Sequence, residues 1–252
     1  MEALAREISP GIADCELTHL DRTPIDLARA RAQHAAYLET LEVLGCRIQC
    51  LAADPNQPDC VFIEDTAVGV PELAVMSRPG AASRRGELPA VEEALATRRP
   101  VVRIEAPGTL DGGDVLRIGR RLWVGCGDRT NREGVRQLAG FLDPLGYRVQ
   151  EVGQTGCLHF KSGCSQADEE AVLLNPEWID PALFTGLDVI EVHPEEPFAG
   201  NVLRVREHLI VDRSFQRTVD RLDQRGLALA VVDNSELARA EGGLTCGSIL
   251  LD

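Results

Sequence analysis

The stretch Gly113-Asp114-Val115-Leu116-Arg117-Ile118, followed by Leu122-Trp123-Val124, occurs twice in this chain in closely related form. The second copy is Gly200-Asn201-Val202-Leu203-Arg204-Val205, followed at the same spacing by Leu209-Ile210-Val211. In each copy a short charged segment separates two apolar runs, a pattern that predicts a β-hairpin with a tight turn. A hairpin repeated within one chain indicates a repeat architecture.

A helical pattern and a further strand follow the first hairpin. Thr130-Asn131-Arg132-Glu133 has the form of a capping box, with Thr130 as the residue that caps the helix. Apolar residues at helical spacing run from Val135 to Leu142. Gly146 then ends the helical segment, and Tyr147 to Val152 has the pattern of a strand. The predicted unit is therefore ββαβ.

The same order of helix, glycine and strand recurs in three other parts of the chain. Helical patterns surround Leu41, Phe184 and Leu222, and a glycine follows each of them. The strands after these glycines are predicted at Cys46 to Leu51, Leu187 to Val192 and Leu227 to Val232.

A less regular copy spans Cys60 to Glu105. Strands are predicted around Val61-Phe62-Ile63 and Leu73-Ala74-Val75, a helix near Val91 to Leu95, and a last strand at Val101 to Ile104.

The end of the chain explains how the repeats close. Leu244 to Leu251 has strand character without a helix, so we expect it to complete the N-terminal unit and close a ring without exposed sheet edges. Five units of about 50 residues account for the 252 residues. The predicted fold class is α/β, a five-bladed α/β propeller of pseudo-fivefold ββαβ repeats. No Ser-, Pro- or Gly-rich linker interrupts residues 1–252, so we expect one catalytic domain with its site at the central axis.

Composition limits the partners. The chain has 26 Lys and Arg against 40 Asp and Glu, a formal net charge of −14, which disfavours nucleic acid and anionic membranes and suits a cationic ligand. No stretch approaches the roughly 20 apolar residues that span a bilayer. The 8 cysteines are scattered without a Cys-x-x-Cys pair, so reduced thiols are expected. We predict a cytoplasmic protein.

Four clusters concentrate polar residues near predicted strand ends: Asp59 to Asp65, Asp111 to Asp114, Cys157 to Lys161, and Glu241 to Ser248. Acidic residues beside glycines often only stabilise turns. A metal site is conceivable at Asp111 to Asp114, but His159 has no second imidazole nearby, so we predict no metal and no organic cofactor.

Cys246 lies between Gly242-Gly243-Leu244-Thr245 and Gly247-Ser248, a flexible frame that lets backbone amides and a thiol face a ligand. A nucleophilic cysteine must be reachable and must react as thiolate, which a nearby imidazolium or a cationic substrate promotes. Cys246 fits this better than the other seven cysteines. From local sequence alone, a small residue in a terminal strand is an equal alternative.

Together the clusters resemble dimethylarginine dimethylaminohydrolase, of the guanidine-modifying (pentein) superfamily that includes arginine deiminases and amidinotransferases. The resemblance covers essentially the whole chain, and the family fold is a propeller of five ββαβ units. The strongest matches are Asp59-Cys60-Val61-Phe62-Ile63-Glu64-Asp65-Thr66-Ala67, Arg78-Pro79-Gly80-Ala81-Ala82-Ser83-Arg84-Arg85, Gly108-Thr109-Leu110-Asp111-Gly112-Gly113-Asp114-Val115-Leu116, Cys157-Leu158-His159-Phe160-Lys161 and Leu244-Thr245-Cys246.

The resemblance implies roles for individual residues. It makes Cys246 the nucleophile, His159 the general acid and base, and Asp111 the acidic partner. Substrate contacts implied in the same way are Asp65 and Glu64 for the guanidinium, Arg84 and Arg129 for the substrate carboxylate, Asp59 as a further contact, Leu20 in a mobile covering loop, and Glu241 near His159.

The activity that this resemblance implies is hydrolysis of Nω-methylated arginine to citrulline and a methylamine through a covalent thiouronium. The alternatives are a deiminase or an amidinotransferase that acts on arginine or another guanidino compound, and catalytically silent binding of cationic amino acids. The expected partner is a small guanidino substrate. The sequence leaves the oligomeric state open, and a homodimer is the assembly that we carry as an expectation.

Overall fold

The computed structural model describes residues 1–153 and 156–251, and within them the strands form five sheets of three strands each. The strands are β1 Glu2–Arg6, β2 Arg47–Leu51, β3 Ala67–Val70, β4 Leu73–Met76, β5 Val101–Arg103, β6 Val115–Ile118, β7 Arg121–Cys126, β8 Arg148–Gly153, β9 Cys164–Asp168, β10 Ala171–Leu174, β11 Asp188–Glu191, β12 Leu203–Val205, β13 His208–Asp212, β14 Ala228–Val232 and β15 Ser248–Leu251. The helices are α1 Leu27–Val43, α2 Leu88–Ala96, α3 Arg132–Leu142, α4 Phe160–Gly163 and α5 Gln216–Gln224.

Every sheet is built in the same way and is one blade of the ring. Its middle strand pairs antiparallel with one neighbour and parallel with the other, in the orders β15-β1-β2, β3-β4-β5, β6-β7-β8, β9-β10-β11 and β12-β13-β14. We number the blades one to five in this order. The parallel pairs require a crossover, which α1, α2, α3 and α5 supply in four of the blades. The five-bladed α/β propeller is therefore confirmed.

The two copies of the repeated stretch form equivalent hairpins. Leu116 pairs with Trp123 in blade three, and Leu203 pairs with Ile210 in blade five. Each hairpin turns through two residues, and one of them has a positive φ, 58° at Gly119 and 55° at Arg206. Such a backbone conformation suits the twist of a two-residue hairpin.

Ring closure also occurs as expected. β15 pairs antiparallel with β1, with Ala3 opposite Leu250, and so completes blade one from the far end of the chain.

The apolar core is distributed between blades. One cluster joins Val75 of blade two to Leu122 of blade three beneath Leu138 of α3, and all three side chains are fully buried. Burying a side chain of this size contributes roughly 1.5–3 kcal/mol. Because each blade buries its apolar face against a neighbour, the ring is stabilised as a unit.

Two predicted elements are wrong. Val61-Phe62-Ile63 is not a strand: it leads into a 3₁₀ turn at Ile63–Thr66, and the strand begins only at Ala67. A short buried apolar run does not by itself distinguish strand from turn. In blade four the crossover is a 3₁₀ turn, Pro181–Phe184, capped by Asp180 and too short for an α-helix.

The predicted capping box is displaced by one residue. Asn131, not Thr130, caps α3, and its side chain accepts a hydrogen bond from the N–H of Gly134. The Thr130 hydroxyl instead donates to Asp114 at 2.6 Å and accepts from the N–H of Asp111 at 3.0 Å. Thr130 is thus committed to the turn that carries Asp111.

Candidate active site

A short turn precedes the first strand of every blade, and neighbouring turns contact one another near the ring axis. Four of them carry or adjoin predicted site residues: Glu64 and Asp65 in blade two, Asp111 in blade three, His159 in blade four and Cys246 in blade one. In order from blade one, the turns are Thr245–Gly247, Ile63–Thr66, Gly112–Asp114, Phe160–Gly163 and Pro197–Gly200.

Hydrogen bonds from backbone N–H groups to carboxylates connect successive turns. Asp65 accepts a hydrogen bond from the N–H of Gly113 at 3.0 Å, and Asp114 accepts one from the N–H of Phe160, next to His159, at 3.0 Å. A Cβ on Gly113 would lie 2.6 Å from the Asp65 carboxylate and 2.9 Å from the His159 ring. Glycine at this position therefore allows the reactive side chains to approach the backbone.

His159 lies between two carboxylates, and all three side chains are buried. Its Nε2 lies 3.1 Å from Oδ2 of Asp111, and its Nδ1 lies 3.8 Å from Oδ1 of Asp65. Burial disfavours the charged ring, but Asp65, the hydrogen bond with Asp111 and the charge of Asp114 outweigh it and raise the pKa of His159 to about 9. At neutral pH the ring is therefore an imidazolium that can donate a proton.

Burial also disfavours the charged form of Cys246, the thiolate. Desolvation, reinforced by the negative charges of Glu64 and Asp65, raises the pKa of the thiol to about 12. The N–H of Gly243 points at Sγ from 3.3 Å and opposes this effect. Without a cationic ligand the group is a thiol at neutral pH, and a bound cation would favour the thiolate.

Most of the predicted site residues line one cavity of about 310 Å³. Its walls are Glu16, Asp59, Phe62, Asp65, Arg84, Arg129, Leu158, His159, Ala240, Glu241 and Cys246. Asp111 does not line the cavity itself, but its carboxylate contacts two residues that do, His159 at 3.1 Å and Arg129 at 3.9 Å. The thiol, the imidazolium and the carboxylates thus line one small cavity, whose acidic side chains suit a cationic ligand.

Glu64 does not line this cavity but a neighbouring one, together with Lys161 and Thr245. Its carboxylate accepts hydrogen bonds from Nζ of Lys161 at 2.5 Å and from the hydroxyl of Thr245 at 2.6 Å. Burial raises the pKa of Glu64, and Lys161 opposes that effect. The structure therefore pairs Glu64 with Lys161 and with the residue before Cys246. Lys161 belongs to a quoted motif, but nothing in the sequence pairs it with Glu64.

Arg84 is more constrained than the expectation suggested. Its guanidinium donates to Asp65 at 2.5 Å, to both oxygens of Glu87 at 2.9 Å, and to the carbonyl oxygens of Asp59 and Phe62. Most of its donors are occupied, so few remain for a substrate carboxylate. Glu87 was not anticipated, because an acid three residues after an arginine usually lies on the surface.

Leu20 does not line the cavity that contains Cys246 but a neighbouring one, which Leu158 and Glu241 also line. Oε1 of Glu241 accepts the backbone N–H groups of Thr18, His19 and Leu20 at 3.0, 2.6 and 2.7 Å. Arg129 donates to the Thr18 hydroxyl at 3.2 Å. Glu241 therefore holds the Leu20 loop, and its described hydrogen bonds go to loop amides, not to His159.

Asp59 anchors the same loop from the other side. Its carboxylate accepts the N–H of Glu16 at 3.1 and 3.2 Å. Two proposed substrate contacts, Asp59 and Arg129, are therefore in contact with the Leu20 loop in the structure.

One group of potential metal ligands coincides with this site. Single donor atoms of Asp65, Asp111 and His159 all lie within 4.8 Å of one another. Two of these residues pair with each other, and Asp65 also pairs with Arg84. The positive charge that these carboxylates need is thus already supplied by His159 and Arg84. Within residues 1–153 and 156–251, every helix is too short or too polar to cross a bilayer.

The ring of five blades with a buried thiol beside a carboxylate-bound imidazolium is the arrangement of the guanidine-modifying superfamily. No family model matches the chain. It is, however, 34% identical to the N(G),N(G)-dimethylarginine dimethylaminohydrolase of Pseudomonas aeruginosa, covering 97% of this chain and 95% of that protein. It is 39% identical to the protein of the same name from Streptomyces coelicolor, covering 99% and 96%. The chain belongs to the dimethylarginine dimethylaminohydrolase family.

A solved structure agrees with this assignment. The Pseudomonas aeruginosa enzyme, as a cysteine-to-serine mutant in complex with citrulline, superposes with a TM-score of 0.94 at 33% identity over 98% of both chains. An amidinotransferase from Microseira wollei, at 15% identity, shares the fold with a TM-score of 0.86 over 100% of this chain and 94% of its own.

Proposed function

We propose that this protein hydrolyses asymmetric dimethylarginine and monomethylarginine to citrulline and a methylamine, with Cys246 as nucleophile, His159 as general acid and base, and Asp111 as the partner of His159. One observation carries the proposal: a thiol and an imidazolium face the same small cavity, which is lined by carboxylates. The complex of a relative with citrulline supports the product.

Substrate capture uses the charges of the cavity. Asp65 holds the planar guanidinium through charge-assisted hydrogen bonds. Arg129 and Asp59, which contact the Leu20 loop in the structure, are the groups for the amino-acid end of the substrate. The substrate's positive charge lowers the pKa of Cys246, and the thiol proton leaves to solvent.

The first half-reaction forms a carbon–sulfur bond. The Cys246 thiolate attacks the central guanidinium carbon and gives a tetrahedral adduct. His159 donates its proton to the substituted nitrogen, the carbon–nitrogen bond breaks, and the methylamine departs. The products of this step are the thiouronium on Cys246 and a neutral imidazole.

The second half-reaction consumes water. His159 takes a proton from a water molecule, whose oxygen attacks the same carbon. The new tetrahedral adduct expels the Cys246 thiolate, its hydroxyl proton passes to solvent, and the ureido group of citrulline remains. Asp111 keeps His159 oriented in both directions of proton transfer, because its carboxylate contacts Nε2.

Several broader statements belong to the same proposal. One catalytic domain over residues 1–252 is supported by the pairing of β15 with β1, which ties both ends of the described chain into one blade; residue 252 itself lies outside the described residues. A cytoplasmic location, a homodimer, no nucleic-acid partner and no metal or cofactor requirement stay predictions.

The central test is Cys246→Ser. We expect release of citrulline and methylamine to fall by about 10³-fold or more, because an alcohol is a far weaker nucleophile than a thiolate. Cys46→Ser, which changes a buried cysteine of the blade-one core, is the matched control and should keep activity.

Quenched wild-type reactions should carry the substrate-derived adduct on the peptide with Cys246. An adduct on another cysteine, or more than about a tenth of the activity in Cys246→Ser, would contradict the assignment.

The identity of the substrate is tested by comparing kcat/KM for arginine, monomethylarginine and asymmetric dimethylarginine. If arginine exceeds both methylated forms about tenfold, roughly 1.4 kcal/mol, the activity is that of a deiminase.

A further inference from the structure

The fifth blade contributes no ionisable group to the catalytic cavity, yet a buried amide follows its turn. Asn201 comes directly after Pro197–Gly200 and is 8% exposed. Its Oδ1 accepts the N–H of Thr245 at 3.1 Å, and its Nδ2 donates to the carbonyl oxygen of Lys161 at 2.9 Å. Asn201 therefore joins the turn that contains Cys246, Thr245–Gly247, to the turn that follows His159, Phe160–Gly163.

The same side chain supports the backbone that faces the thiol. A Cβ on Gly243 would lie 2.4 Å from Cγ of Asn201, so the Gly243 backbone rests directly on the amide. The N–H of Gly243 is the donor that points at Sγ of Cys246. Movement of Asn201 would thus displace both the residue before the thiol and the backbone donor aimed at it.

Glu64 and Lys161 complete a closed set of contacts around Asn201. Asn201 Nδ2 also lies 3.1 Å from the hydroxyl oxygen of Thr245, which in turn donates to Glu64. Glu64 pairs with Lys161, whose carbonyl oxygen is the acceptor of Asn201. The positions of the Cys246 turn and the His159 turn are therefore coupled through one amide.

The partners of Asn201 require an amide and not an acid. The Thr245 N–H needs an acceptor, whereas the Lys161 carbonyl needs a donor; an amide offers both, and an ionised carboxylate offers only acceptors. The aligned residue of the repeat, Asp114, accepts from Phe160 N–H and from the Thr130 hydroxyl. Both of those partners donate, so an acid fits there.

We propose that Asn201 is a positioning residue that holds the Cys246 thiol in register with His159 during the reaction. This inference rests on the proposed function, because it concerns the same thiol. Asn201 does not line the catalytic cavity, and its effect passes through Thr245 and Gly243.

The test is Asn201→Asp, which keeps the shape of the side chain and places an oxygen against the Lys161 carbonyl. We expect kcat for dimethylarginine to fall about tenfold to a hundredfold, since small displacements of reacting groups have effects of that size. KM should stay within about threefold, because no substrate contact is changed. Asn201→Ala, which adds no charge, should show the same split between kcat and KM.

Asn175→Asp is the matched control. The Asn175 amide also donates to a backbone carbonyl, that of Pro197 in the same fifth-blade turn, but it has no described contact with Thr245, Gly243 or Lys161. We expect Asn175→Asp to change kcat less than about twofold while lowering the thermal midpoint as much as Asn201→Asp does. Equal kcat values in the two Asp variants, or a loss that lies in KM alone, would overturn the proposal.

A second readout does not depend on the substrate. The rate at which iodoacetamide alkylates Cys246, followed by mass spectrometry of its peptide, should fall severalfold in Asn201→Asp and not in Asn175→Asp. An unchanged alkylation rate would contradict the positioning role. If wild type shows no turnover of any methylarginine, the proposed function fails, and the alkylation rates still decide whether Asn201 positions the thiol.

Discussion

Blades three and five contain the same repeated stretch, but only blade three carries one of the proposed catalytic residues, Asp111. Their hairpins have equivalent registers, and Arg117 of one aligns with Arg204 of the other. In the turns before the hairpins, Asp111 of blade three is fully buried against His159, whereas the aligned Phe198 of blade five is 45% exposed.

This comparison distinguishes the residues that form the ring from the residues proposed to take part in the reaction. The residues shared by the two copies form strand pairs and bury apolar surface between blades. The polar differences include the turns before the hairpins, where blade three has Asp111 and Asp114 and blade five has Phe198 and Asn201. Chemistry can therefore vary between blades while the fold stays constant.

Among the tests of this comparison, the largest expected effect comes from substituting one of the residues that differ between the two blades. In Asp111→Asn the neutral amide no longer stabilises the imidazolium of His159, and we expect kcat to fall by about 10²–10³-fold. Phe198→Leu, at the aligned position of blade five, should change kcat less than about twofold. Steady-state kinetics with dimethylarginine measure both, and comparable losses in the two variants would remove the distinction between the blades.

A second prediction tests whether charge is what distinguishes the turn of blade three. The pKa of His159 is raised from 6.5 to about 9, so its contribution to stability is complete below pH 6.5 and is lost as pH rises through 9. The shift corresponds to roughly 3 kcal/mol. We expect the unfolding free energy of wild type, measured by urea denaturation, to fall between pH 6 and 9 by roughly 3 kcal/mol more than that of His159→Asn. Parallel pH profiles would show that His159 is not held as an imidazolium.

The smallest effect concerns the segments after the second strands. Arg129 follows β7, and the aligned residue after β13 is Gln216. In Arg129→Ala we expect KM for methylarginines to rise about tenfold, as for loss of a hydrogen bond to a charged group. Agmatine, which lacks the carboxylate, should be unaffected, and Gln216→Ala should change neither. Equal losses for agmatine and methylarginines would exclude Arg129 as the carboxylate contact.

Hydrophobic periodicity predicted much of the fold because each blade repeats it. The hairpin at Gly119, α2, α3 and the closing strand β15 all occur where the pattern places them. It failed where local sequence is ambiguous. The apolar run before Glu64 is buried as a turn, and the crossover of blade four is too short for a full helix.

Residue types and their order predicted which polar side chains would meet. Most of them do line one cavity, with Asp111 behind His159. Their partners were not predictable, since hydrogen bonds between blades join residues far apart in the chain. The pairing of Lys161 with Glu64 and the attachment of Glu241 to the loop depend on such distant contacts. The pairing of Arg84 with Glu87 is local in sequence, but it depends on the buried turn Ala82–Glu87 that holds both side chains.

The closing strand has a consequence for the order in which the blades can fold during synthesis. Cys246 lies two residues before β15, and β15 pairs with β1, whereas each of the four other blades is built from strands that follow one another in the chain. Those four blades can therefore form before β15 has been synthesised, but the first blade cannot. Cys246 takes its place beside His159 only when the ring closes, so a chain truncated before β15 would lack the assembled cavity.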